Sequence, residues 1–70
     1  MELTWRERRT NRFVGVDEQG QDVGQVGLVV SDGGAERYWH GWRRDGSPMG
    51  IDVGGFPTAE EAMAAVDAAG

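Results

Sequence analysis

At 70 residues the chain holds one domain, and a domain this short buries only about 60% of the surface its unfolded chain exposes. It has no cysteine and one histidine, which excludes a disulfide framework and the usual zinc sites; neither a metal nor a cofactor is expected. The formal charge of −5 disfavours a polyanionic partner, and the absence of a long apolar run or a signal-peptide core in "MELTWRERRTNR" points to a cytoplasmic protein without a membrane role.

The charge is unevenly spread. Residues 1–16 carry +2 and 37–44 carry +3, while 17–36 and 45–70 carry −5 each. All seven cations are arginine. The absence of lysine beside abundant glycine and alanine suggests a high-GC source such as an actinobacterium or one of its phages; for a phage gene, the compartment is the host cytoplasm.

In chain order, residues 3–9 alternate Leu3, Trp5, Glu7 against Thr4, Arg6, Arg8. Residues 1–11 therefore read either as a flexible arm or as an edge strand guarded by charge. With Trp5, Arg6, Arg8, Arg9 and Arg12, this segment is a candidate secondary binding surface. "RFVGV" (12–16) reads as a short strand closed by the polar turn "DEQGQ". "DVGQVGLVVS" (22–31) places Val26, Leu28 and Val30 on one face and Gln25, Gly27 and Val29 on the other, and turns at 32–34.

Asp45-Gly46 is the strongest local signal, since a two-residue Asp-Gly loop is a favoured type I′ hairpin turn. That turn pairs Trp42 with Met49, His40 with Ile51 and Tyr38 with Val53. The core face is then Tyr38, His40, Trp42, Met49, Ile51 and Val53. The opposite face carries Arg37, Trp39, Arg43 and Asp52 around glycines. On this register Trp39 is more exposed than Trp42, and Leu28, Phe56, Met63 and Val66 join the buried set.

Residues 58–69 predict a helix. Thr58 and Glu61 form a capping box, Pro57 precedes it, and Ala59, Ala62, Met63 and Val66 make one apolar stripe. The expected fold is α+β: an antiparallel sheet of three to four strands over 12–54, with one C-terminal helix on one face and the other face wet.

The end of the chain resembles a known family. Gly55, Phe56, Thr58, Ala59, Glu60, Glu61, Ala62 and Asp67 resemble the close of the third strand and the helix of ethylene-response-factor DNA-binding domains. The arm-binding domains of phage-type tyrosine integrases look similar there. The resemblance covers about fifteen residues. It implies a three-strand-plus-helix domain that lays its helix-free sheet face on DNA, with Arg37, Trp39 and Arg43 as the matching residues.

The other motifs read as structural. His40 fits a core histidine, and Ser47 in "GSPMG" lacks the nucleophile-elbow spacing. The glycines of "GQDVGQVG" lack a phosphate-loop pattern. The sequence therefore points to a non-enzymatic binding module, an accessory or regulatory protein that modulates a protein partner through Arg37, Trp39, Arg43 and Asp52. DNA binding on the same face and burial of that face in a homo-oligomer are the alternatives.

Overall fold

The computed structural model describes residues 2–70. Five strands form one antiparallel sheet in sequence order: β1 (Thr4–Arg9), β2 (Arg12–Val16), β3 (Asp22–Val30), β4 (Arg37–Arg43) and β5 (Ile51–Phe56). One α-helix, α1 (Ala59–Ala69), packs across β3, β4 and β5. The α+β class and the C-terminal helix stand as expected, but the sheet has five strands rather than three to four. The additional strand is β1, so the N-terminal segment is an edge strand and not an arm.

Local chemistry explains the helix. Thr58 Oγ1 accepts from Glu61 N at 3.2 Å, while the Thr58 hydroxyl donates to the Glu61 carboxylate at 3.2 Å. The first bond satisfies an amide that a helix start leaves unpaired, and the second ties the two side chains together. Ala62 and Val66 are fully buried and Met63 half-buried, so the stripe read from the sequence faces the sheet.

The core is small: Leu3, Val26, Ala62 and Val66, with Trp5, Phe13, Val23, Trp39, Val53, Phe56 and Met63 packed around it. Its floor is glycine. A Cβ at Gly41 would lie 2.6 Å from Val53 Cγ2 and 2.9 Å from Val66 Cγ2, and one at Gly24 would lie 2.9 Å from Val66 Cγ1. Small residues on both sides let the helix axis approach the sheet closely. Tyr38 (38% exposed) lies outside this core, and Leu28, Trp42, Ile51, Val53, Phe56 and Met63 are only half-buried.

The β4–β5 connection departs from the sequence reading. Asp45-Gly46 does not form a two-residue turn; residues 44–50 make a longer loop and Arg43 pairs with Ile51. Asp45 Oδ1 accepts from Ser47 N at 2.9 Å and from Ser47 Oγ at 2.6 Å, and Ser47 Oγ accepts from Gly50 N at 3.0 Å. These side chains give the loop its own hydrogen bonds, and Pro48 has no N–H to offer a ladder. A bulge between Gly41 and Trp42 then places Trp42 opposite Asp52 and leaves Val53 as the extra residue. Gly54 adopts φ 91°, and Asp52 Oδ1 accepts its N–H at 2.8 Å, which holds the bulge.

Candidate functional site: the helix-free sheet face

The change of register inverts the two faces of β4. Trp39, Gly41 and Arg43 lie on the helix side, while Tyr38, His40 and Trp42 occupy the helix-free side. The physical reason is the close seat of α1. Only a face with glycine at 41 and 24 admits Val66 at contact distance, while Gly15 makes the same room for Leu3 and Trp5. Trp39 and Arg43 follow Gly41 to that side by the period of two along a strand.

Each expected partner-binding residue therefore has a definite address. Trp39 packs on the core, its ring tilted 51° to Phe13 at a centroid distance of 6.0 Å. Arg43 Nη1 donates to Val66 O at 3.0 Å, in the last turn of α1, which has no cation of its own. A cation there complements the helix dipole. Arg37 alternates with these two and is exposed. Asp52 stands on the helix-free side, and Arg37 reaches the depression that it borders with Tyr38, His40 and Asp52. The four residues do not form one surface.

The N-terminal set divides as well. Trp5 belongs to the helix side, where Trp5 Nε1 donates to Asp67 Oδ2 at 3.4 Å and Leu3 N donates to Asp67 Oδ1 at 2.8 Å. Arg6, Arg8, Arg9 and Arg12 belong to the helix-free side by the pairing of β1 with β2.

Two rows cross this face from edge to edge. One runs Arg6–Val14–Gln25–Trp42–Asp52, and its neighbour runs Arg9–Arg12–Gly27–His40–Gly55. Val14 is 7% exposed yet lies outside the main core cluster, so its neighbours on this face cover it. Arg8 reaches Asp22 Oδ2 at 3.8 Å. Arg12 lies over Gly27, beside a shallow depression of about 370 Å³ bordered also by Gln25, Val29, His40 and Trp42.

Two contacts fix the polar groups of β4 and β5. Trp42 Nε1 donates to Met49 O at 2.9 Å, with its indole against Gly50. His40 Nε2 lies 2.8 Å from Asp52 Oδ1. That bond, and then the Gly54 N–H, hold the Asp52 carboxyl below the ordinary carboxylate range. The face is thus cationic along β1 and β2, aromatic along β4, and anionic at β5.

Sequence reasoning missed Tyr38, His40 and Trp42 as members of this face. The available signal was size. Gly15, Gly24 and Gly41 repeat across three strands, and an alanine-rich helix stripe needs such a floor.

No helix among the described residues is long and apolar enough to cross a membrane, and none of their His, Asp and Glu side chains group in threes to hold a metal. Compared with protein-family models, with curated proteins and with solved structures, the chain matches none.

Proposed function

We propose that the chain is a non-enzymatic binding module, with an accessory or regulatory role in the cytoplasm, whose helix-free sheet face docks a protein partner. The observation that carries this is the composition of that face. Exposed Val29 and Tyr38 stand beside half-buried Trp42 and His40, with Arg6, Arg8 and Arg12 around them. Tyr, Trp and Arg are the residue types that dominate protein–protein contact energies. The His40–Asp52 pair lies in the open, and among the described residues no hydroxyl is hydrogen-bonded to the ring. It serves to orient the face.

A nucleic acid on the same face is the second reading. It draws on the four arginines of β1 and β2 and on the likeness of residues 55–69 to sheet-reading DNA-binding domains, which also fits a phage origin. The ionised Asp52 on this face and the net charge of −5 favour the protein.

The test pairs a pull-down with a gel shift, using Trp42→Ala on the helix-free face and Ala64→Glu on the exposed side of α1. Partner capture should weaken by about 2 kcal/mol with Trp42→Ala and stay unchanged with Ala64→Glu. Sub-micromolar binding to random duplex that needs Arg6 and Arg12 would overturn the protein reading.

A further inference from the structure

The row Arg6–Val14–Gln25–Trp42–Asp52 has an order that fits itself. A cation stands at one edge of the sheet and a carboxylate at the other, apolar side chains lie inside them, and an amide sits in the middle. A twofold axis parallel to β3, lying between two such faces, reverses the strand order and keeps each row on itself. Arg6 of one copy then stands over Asp52 of the other, Val14 over Trp42, and Gln25 over Gln25.

The neighbouring row obeys the same rule by size. The long Arg9 meets Gly55, Gly27 meets Gly27 on the axis, and Arg12 stands over His40, whose ring is held by Asp52. We infer that the partner of this face is a second copy of the chain, seated face to face as an isologous dimer. This rests on the protein-binding reading and names its partner.

The unpaired groups agree with the arrangement. Among the described residues Arg6 and Arg12 have no ion-pair partner, and Asp52 accepts both its hydrogen bonds through Oδ1, leaving Oδ2 free. The Asp52 side chain is 65% exposed, open to a guanidinium from above. Five strands about 4.8 Å apart, each offering roughly five residues, give a face of about 400 Å² in projection. With side-chain relief from both copies the buried area comes to roughly 1,000 Å², the low end of specific interfaces. An interface of that size belongs with transient rather than obligate contacts.

Sedimentation equilibrium of the full chain at low salt, over roughly 1 µM to 1 mM, tests it in the range expected for such an interface. A reversible monomer–dimer curve is expected. Arg6→Asp and Asp52→Arg should each weaken the dimer roughly tenfold or more by opposing like charges; because Asp52 also holds the bulge of β5, Arg6→Asp is the deciding reversal. Gln25 is exposed and makes no side-chain hydrogen bond among the described residues, so Gln25→Glu leaves the fold alone. It should weaken the dimer by placing two carboxylates on the axis.

A chain that stays monomeric throughout refutes the second copy while leaving the pull-down with Trp42→Ala to judge the protein-binding reading. A dimer indifferent to Gln25→Glu and to both charge reversals uses another surface, which also refutes it. Oligo-dT bound through Arg6 and Arg12 in preference to self-association would transfer the face to nucleic acid.

Discussion

A methyl group added at residue 41 meets the floor of the core. In Gly41→Ala the new Cβ would lie 2.6 Å from Val53 Cγ2, 2.9 Å from Val66 Cγ2 and 3.5 Å from Ala62 O. Carbon atoms pack best at about 3.5–4.0 Å, so the two methyl contacts lie roughly an ångström too close. Relieving them means lifting α1 or moving Val53, and overpacking of this kind costs about 1–3 kcal/mol. Alanine returns about 0.5–1 kcal/mol by restricting the unfolded chain. The net expectation is a loss of about 1–2 kcal/mol, which for a domain of this size lowers Tm by roughly 4–8 °C per kcal/mol.

Gly27→Ala supplies the internal control. It sits on the opposite face of β3, where the nearest atoms to its Cβ belong to Arg12 at 3.9 Å. There the methyl is accommodated, and the substitution should stabilise by about 0.5–1 kcal/mol. Calorimetry or urea unfolding of dilute protein reads both. A Gly41→Ala protein as stable as the parent, or an equal loss from both substitutions, would refute the assignment of faces on which the candidate site depends.

Arg43→Met keeps the aliphatic stem but removes the donor to Val66 O and the cation at the helix end, so stability should fall by about 1–2 kcal/mol; an unchanged urea midpoint would rule out that role. Asp67→Ala should release β1, with amide exchange rising in residues 4–9 before it rises in β3; uniform exchange would contradict a local tie. Asp52 titrates below its unfolded value, so its contribution is complete above the ordinary carboxylate pKa of about 4 and is lost as pH falls through the lower folded value. The stability gap between parent and Asp52→Asn should therefore close on acidification through that window, and a gap that persists or widens would argue against it.

How much the sequence revealed depended on whether a signal was local. The helix was legible because Thr58, Glu61 and the Ala59–Ala62–Met63–Val66 stripe each act within a few residues. Strands at 12–16 and 22–31 were legible from alternation. The face of β4 was not, because Asp45-Gly46 is a favoured turn only when nothing else satisfies the loop, and the Asp45 and Ser47 side chains do so here. A slip in register moves every side chain to the other face, which is why Trp39 and Arg43 exchanged places with Trp42 and His40. Arg6, Arg8, Arg9 and Arg12 were recognised as a group, but placing them on the sheet took the two-residue turn at Thr10 and Asn11, where Asn11 adopts φ 60°, together with the tie of Leu3 and Trp5 to Asp67, 64 and 62 residues away.

That same contact sets an order of events in folding. The hydrogen bonds from Leu3 and Trp5 to Asp67 close a loop more than sixty residues long. Closure entropy rises by about 0.6 kcal/mol per doubling of loop length, so starting from an open chain the contact is roughly 2.4 kcal/mol dearer than a four-residue hairpin. It becomes affordable only after β2 to β5 and α1 have brought their ends together. The two bonds to Asp67 are therefore among the last interactions to form, although β1 itself pairs with β2 across a two-residue turn, and they are absent from the transition state. Asp67→Ala should speed unfolding and leave the folding rate almost unchanged, so this carboxylate governs how long the native state lasts more than how fast it is reached.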